Sequence, residues 1–149
     1  MKHLLLLALL TFPQPEPPPT EDPRLFERAP HPIVRQVGDG EVELVAKYAP
    51  LLFHEPEVEY VLPDGRRVDV LTERFAYEAD WSYKWTEGVG QALAYAVATN
   101  RNPGLILLMK GADDERYNQC LGVITHLRSR GYNFEFIAIN VENGKIWRH

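Results

Sequence analysis

Three strand patterns follow one another along the chain with only short connections, and this succession limits the folds that the chain can adopt. Glu57–Leu62 and Arg66–Leu71 have strand-like patterns on either side of Pro63-Asp64-Gly65, a strong turn sequence. A third strand pattern, Phe75–Trp81, follows after a short connection at Glu73-Arg74. Such short connections suit antiparallel pairs, because parallel strands need a crossover of a dozen or more residues. The sequence therefore predicts an antiparallel three-stranded meander.

The elements around the meander predict an α/β fold with a mixed sheet flanked by helices. Periodicity and breakers predict helices over Glu41–Phe53, Tyr83–Thr99 and Asp113–Arg130, and strands over Leu105–Lys110 and Asn133–Asn140. Pro50 is expected to bend or end the first helix early, and Asp113 to cap the third. The order α-β-β-β-α-β-α-β places a βαβ crossover after the meander.

Composition and charge exclude several classes of protein. The chain has 149 residues, 45% of them hydrophobic, which is enough for one packed domain. Its net charge of −5 argues against a protein that coats nucleic acid electrostatically, but it leaves room for a metal site that reverses the local field. Cys120 is the one cysteine, so an intrachain disulfide is excluded, and its place in an apolar helical stripe predicts a core position.

The N-terminus is interpreted separately from the folded part. Lys2 and His3 precede the apolar run Leu4–Leu10, a pattern typical of a signal peptide within residues 1–12 and too short to span a membrane. Residues 13–33 are rich in proline and predict an extended linker before a domain at 34–149. This favours a periplasmic or secreted protein; the alternative is a cytoplasmic protein with a disordered or interfacial tail.

Acidic residues on the second and third strands predict a metal site. Glu78 and Asp80 are two positions apart on one strand, so they point to the same face of the sheet. If the strands pair through a tight turn at Glu73-Arg74, Asp69 lies opposite Glu78. Carboxylates at such short range repel one another, and a divalent cation with a preference for oxygen ligands resolves the conflict. Asp69, Glu78 and Asp80 are therefore predicted to bind Mg²⁺ or Mn²⁺.

The helix after these strands supplies further candidate site residues. At 100° per residue, a single polar stripe contains Lys84, Glu87, Gln91 and Tyr95. Lys84 could orient an attacking water or stabilise charge on a phosphoryl oxygen. Gly88 and Gly90 lie in one turn of the same helix and suggest close approach of the backbone to the sheet or a ligand.

This pattern resembles the PD-(D/E)XK nuclease superfamily, whose restriction-endonuclease-like core is αβββαβ. Gln91-Ala92-Leu93-Ala94-Tyr95 looks like the Q-x-x-x-Y motif of its RecB-type and lambda-exonuclease-type members. The resemblance implies that Asp69 and Glu78 are the two metal-binding acids, and that Glu41 or Glu43 is the acid of the first helix. It also implies a Mg²⁺- or Mn²⁺-dependent hydrolase that acts on DNA. The stretch from Arg67 to Leu108 further resembles a group of small bacterial proteins with an R-x-D, E-x-D, K-W-x-E-x-x-G-Q string.

One departure from the superfamily leaves two functions open. The usual E-x-K would place lysine at position 80, where this chain has Asp80, and Lys84 is the candidate to replace it. If Lys84 reaches the site, we expect the chain to hydrolyse DNA phosphodiester bonds. If it does not, the alternative is a non-catalytic domain of the same fold, exported if the signal segment acts, that binds protein or nucleic acid. A third interpretation places Glu78 and Asp80 on the solvated face of an edge strand, with Asp69 closing a turn with Arg67.

Overall fold

The computed structural model describes residues 40–149, and the predicted signal segment and linker lie outside this range. The described residues form three α-helices and six β-strands. The helices are α1 (Glu41–Leu52), α2 (Trp85–Thr99) and α3 (Asp114–Ser129), and the strands are β1 (Glu57–Val61), β2 (Arg67–Leu71), β3 (Phe75–Trp81), β4 (Asn102–Met109), β5 (Glu135–Asn140) and β6 (Ile146–Arg148). No helix within residues 40–149 is both long enough and apolar enough to span a bilayer.

The six strands form one mixed sheet in the order β1-β2-β3-β4-β5-β6. The first three strands are the predicted antiparallel meander. Strands β3, β4 and β5 are mutually parallel, with α2 and α3 as the crossovers, and β6 returns antiparallel to β5. The predicted α/β class with a mixed sheet is confirmed. Strand β6 was not expected, because three residues are too few to show a period.

Helices cover both faces of the sheet. Helix α1 packs Val45 and Tyr48 on the face that presents Tyr77 and Ala79 of β3. Helices α2 and α3 cover the other face, where Leu105 and Leu107 of β4 are buried, together with a helical apolar stripe that includes Cys120 and Ile124. Alternate residues of β3 and β4 therefore belong to different cores, as the two-residue repeat of a strand requires.

Thr72 fixes the hairpin between β2 and β3. Its backbone N–H donates to the carbonyl of Phe75 at 2.9 Å, and its hydroxyl lies 3.0 Å from the Phe75 nitrogen, whose N–H it accepts. The two turn residues Glu73 and Arg74 keep negative φ, so this turn needs neither glycine nor asparagine. The resulting register pairs Leu71 with Ala76, as the predicted turn centre requires.

Two predicted boundaries were wrong. Residues Ser82–Lys84 form a 3-10 turn, so α2 begins at Trp85 rather than at Tyr83. Strand β4 begins at Asn102 rather than at the predicted Leu105, and it includes Pro103 and Gly104. A Cβ at position 104 would overlap the ring of Tyr77, so glycine is present here because an aromatic ring crosses the strand, not because the chain turns.

Two predicted roles at helix ends also differ from the structure. Helix α1 continues through Pro50 to Leu52, and its last turn is closed by a 3.0 Å bond from the Phe53 N–H to the carbonyl of Ala49. Asp113 precedes α3 but makes no side-chain capping bond. Its carboxylate instead accepts the hydroxyl of Ser82 and lies 3.4 Å from Nη1 of Arg116. A tertiary contact has therefore replaced the local cap.

Candidate functional site

Asp69 lies where β2 and β3 stop pairing. The paired positions end at Val70 and Tyr77, and the next position in this register sets Asp69 opposite Glu78. Asp69 is only 1% exposed, and its Oδ2 accepts the backbone N–H of Ala79 at 2.7 Å. The Asp69 carboxylate oxygen therefore accepts a backbone N–H that would bond to a backbone carbonyl of β2 if the two strands continued to pair. This contact fixes the position of the Asp69 carboxylate relative to β3.

Glu78 and Asp80 are buried on the sheet face that α2 and α3 cover. They are 1% and 5% exposed, and they lie beside Leu105 and Leu107 of the neighbouring parallel strand, which belong to the α2–α3 core. Strand β3 is interior to the sheet, with β2 on one side and β4 on the other. The interpretation of these carboxylates as the solvated face of an edge strand is therefore wrong.

Gly88 brings the backbone of α2 close to Asp80. A Cβ at position 88 would lie 3.2 Å from the Cβ of Asp80 and 2.9 Å from Cδ1 of Leu105. The predicted close approach is confirmed for Gly88. Gly90 does not approach the sheet, because it is exposed and has nothing within 4 Å of its Cβ position. The Asp80 side chain also bonds to its own strand, because its Oδ1 accepts the N–H of Trp81 at 2.9 Å.

The predicted polar stripe on α2 is only partly formed. The side chain of Gln91 donates to Glu87 at 3.1 Å, and Tyr95 is buried in a cluster with Leu71 and Ala76. Lys84 belongs to the 3-10 turn before α2 and not to the helix itself. Its side chain is exposed, and its ammonium lies 5.7 Å from the ring centre of Tyr83.

The first-helix acids lie at the start of α1, where Glu43 is exposed and Glu41 is half-buried. The apolar face of α1 packs on the sheet face of Tyr77 and Ala79, whereas Glu78 lies on the opposite face. The structure brings Asp69, Glu78 and Asp80 to one region of the sheet, and the role of Glu41 or Glu43 as the first-helix acid stays a prediction.

The three buried acids offer the donor chemistry of a hard divalent cation. Carboxylate oxygens suit Mg²⁺ and Mn²⁺, and Mg²⁺ is commonly held by one or two carboxylates, waters and substrate phosphates. Across residues 40–149, no three histidine, cysteine or acidic side chains converge on a single metal position. Asp69 and Glu78, opposite each other in register, are the candidate carboxylates for such a site.

Sequence reasoning missed an ion pair beside Asp69. Strand β1 pairs Tyr60 with Val68, which places Glu59 level with Asp69. The Glu59 carboxylate lies 2.9 Å from Nη1 of Arg67, and the Glu59 backbone has a φ of 56°. A non-glycine residue at positive φ is uncommon. The proximity of Glu59 to Asp69 could have been predicted from the strong turn at Pro63-Asp64-Gly65, because this turn fixes which residue of β1 lies level with Asp69.

A small cavity opens beyond the end of β3. It has a volume of about 170 Å³, and its lining residues are Trp81, Ser82, Tyr83, Lys110, Asp113 and Arg116.

Cys120 is fully buried in the α2–α3 core, and burial raises the pKa of its thiol to about 12. The predicted core role of Cys120 is confirmed.

Comparisons with models of protein families, with curated proteins and with solved structures gave no match. The described residues define an α/β protein with a six-stranded mixed sheet and three helices. Its function is therefore argued from the buried carboxylates and the residues around them.

Proposed function

We propose that this chain is a Mg²⁺- or Mn²⁺-dependent nuclease that hydrolyses DNA phosphodiester bonds at Asp69 and Glu78. The observation that carries the proposal is the burial of Asp69, Glu78 and Asp80, none more than 5% exposed, on one face of an interior strand and its neighbour. Buried ionised carboxylates are costly unless other groups compensate them, and a divalent cation does so directly. The α-β-β-β-α-β order with acids on its second and third strands supports a PD-(D/E)XK type of core.

Asp69 and Glu78 would hold the metal, with Asp80 as an auxiliary acid. When bound, the metal would activate a water molecule and offset the negative charge that develops on the phosphoryl group. The N–H of Ala79 orients the Asp69 carboxylate towards β3. The contact of Gly88 with Asp80 keeps α2 against the acids and limits the space for water.

Lys84 would replace the lysine that the superfamily carries at position 80. The exposed ammonium of Lys84, directly before the start of α2, is available to a phosphate oxygen of a bound DNA strand. Gln91 and Tyr95 shape the same side of α2, Gln91 through its bond to Glu87 and Tyr95 through packing on β2 and β3. Catalysis by this arrangement requires Lys84 to turn from Tyr83 towards the phosphate.

Cleavage of labelled DNA by the full chain tests the proposal. We expect activity with Mn²⁺ that a chelator removes and that Asp69→Asn or Glu78→Gln reduces to the limit of detection. Lys84→Ala should lower the rate by about 100- to 1,000-fold, the usual effect of removing one stabilising group. Lys47→Ala, which changes an exposed lysine on α1, is the matched control and should retain the wild-type rate. Equal activity of wild type and Asp69→Asn would contradict the proposal.

The second candidate is a non-catalytic domain of the same fold that binds a protein or nucleic-acid partner. It is favoured by Asp80 in place of lysine and by the exposure of Lys84 beside Tyr83. This candidate predicts Mn²⁺ binding that depends on Asp69 and Glu78, without cleavage of any DNA. The same set of variants therefore separates the two functions.

A further inference from the structure

The cavity beyond β3 has the position of a ligand site. Trp81 ends β3, Ser82 and Tyr83 continue from it, and Lys110 directly follows β4. Ligands of α/β sheets commonly bind outside the carboxyl ends of parallel strands, and β3 and β4 are such a pair. The lining begins at Trp81, the residue after Asp80.

The lining of the cavity combines aromatic surface with hydrogen-bonding groups. Tyr83 is 57% exposed, so its ring is available to a ligand. The ammonium of Lys110 lies 4.7 Å from the ring centre of Trp81, which is buried. Ser82, Asp113 and Arg116, also in the lining, form a chain of contacts that combines donors with an acceptor. A flat group with polar edges matches such a lining.

The charges around the cavity are close to balanced. Asp113 lies in the cavity, and Asp114 and Glu115 occupy the first turn of α3. These three acids offset Lys110, Arg116 and the neighbouring Lys84 in formal charge, and they oppose the attraction of the helix N-terminus for anions. A net charge of −5 for the whole chain gives little general attraction to a phosphate backbone. The cavity therefore favours a neutral planar group.

We propose that this cavity receives one unstacked base of a single-stranded DNA segment, with Tyr83 stacking on the base and Ser82, Asp113 and Arg116 contacting its polar edge. The proposal rests on the proposed nuclease function, because the base would belong to the DNA strand that the nuclease cleaves. A base inside a duplex is stacked and paired and cannot enter. The preferred substrate is accordingly an unpaired strand or a frayed end.

Equilibrium binding tests this base site without requiring cleavage. The full chain, kept free of divalent metal by a chelator, is titrated into a fluorescent oligothymidine, an abasic oligomer of the same length and charge, and a blunt duplex. We expect the oligothymidine to bind most tightly. Tyr83→Ala should weaken its binding by about 5- to 100-fold, the range for loss of one aromatic stacking partner. Tyr83→Phe keeps the ring and should bind like wild type.

Matched variants separate a local effect from a general one. Tyr132→Ala removes another exposed tyrosine, 51% exposed and after α3, and should leave binding unchanged. Arg116→Ala should weaken binding of the oligothymidine but not of the abasic oligomer, whereas Arg130→Ala should affect neither. Equal affinity for the oligothymidine and the abasic oligomer, or wild-type binding by Tyr83→Ala, would overturn the proposal.

Failure of this proposal and failure of the nuclease function give different results. Base-dependent binding through Tyr83, with no cleavage in Mn²⁺, would support the base site and contradict the nuclease. Cleavage that depends on Mn²⁺ and Asp69, but is equally fast on duplex and single strands, would support the nuclease and contradict the base site.

Discussion

The carboxylate of Asp69 accepts the backbone N–H of Ala79 at 2.7 Å, at the point where β2 and β3 stop pairing. This bond joins two strands through a side chain and orients a buried acid at the same time. The stability of the meander and the geometry of the proposed metal site therefore depend on one residue, and a change at Asp69 should alter both.

Asp69→Ala should lower the free energy of unfolding of the metal-free protein. The Ala79 N–H is buried, and removal of its acceptor leaves an unsatisfied donor that costs about 1–3 kcal/mol. Urea denaturation of the full chain in the presence of a chelator measures the change. Asp69→Asn retains an acceptor oxygen and should lower the free energy of unfolding by less than Asp69→Ala does. An increase in stability for Asp69→Ala would contradict this account, because it would show that repulsion among the carboxylates outweighs the lost bond.

Gly88→Ala and Gly90→Ala should have opposite effects on stability. At position 88 a methyl group would meet the Cβ of Asp80 at 3.2 Å, so overpacking should cost about 1–3 kcal/mol despite the better helix propensity of alanine. At position 90 nothing lies within 4 Å, and alanine should stabilise α2 by about 0.5–1 kcal/mol. Thermal or urea unfolding of the two variants provides the comparison. Equal effects at the two positions would contradict the close packing of α2 on Asp80.

Tyr77 should make the protein less stable at high pH. Burial raises the pKa of its phenol, and its bond to Glu135 raises the pKa further. The unfolded tyrosine loses its proton near its ordinary pKa of about 10, while the folded one keeps it, so stability falls as pH rises above 10. Between pH 9 and 11 this one group should remove about 1.4 kcal/mol.

Tyr77→Phe isolates that contribution. The variant should lose less stability than wild type between pH 9 and 11, as measured by urea denaturation at both values. Tyr132→Phe, which changes an exposed tyrosine, should keep the wild-type pH dependence. Identical pH dependence in wild type and Tyr77→Phe would show that burial of Tyr77 does not set its protonation.

Much of the meander could be predicted because its signals are local. The turn at Pro63-Asp64-Gly65 and the two-residue connection at Glu73-Arg74 fix the register by counting, and this register sets Asp69 opposite Glu78. Strand β4 could be predicted for a similar reason, because a continuous apolar run indicates a buried strand without information about the residues packed against it.

The errors arose where a distant residue decided the local structure. Gly104 lay outside the predicted strand because the ring of Tyr77, which occupies the space of its missing side chain, is distant in sequence. Asp113 looked like a helix cap because its partner Ser82 lies 31 positions earlier. Lys84 was assigned to the stripe of α2 because helical periodicity gave no sign of the 3-10 turn before it.

Calorimetric titration of Mn²⁺ into the full chain tests the central claim most directly, namely that Asp69 and Glu78 form a divalent-metal site. The titration is run without DNA and with bound oligothymidine, so that a site completed by phosphate is also detected. We expect saturable binding by wild type that both Asp69→Asn and Glu78→Gln abolish, while Asp114→Asn, which changes an exposed acid, retains it. Absence of binding by wild type under both conditions, or equal binding by Asp69→Asn, would contradict the account.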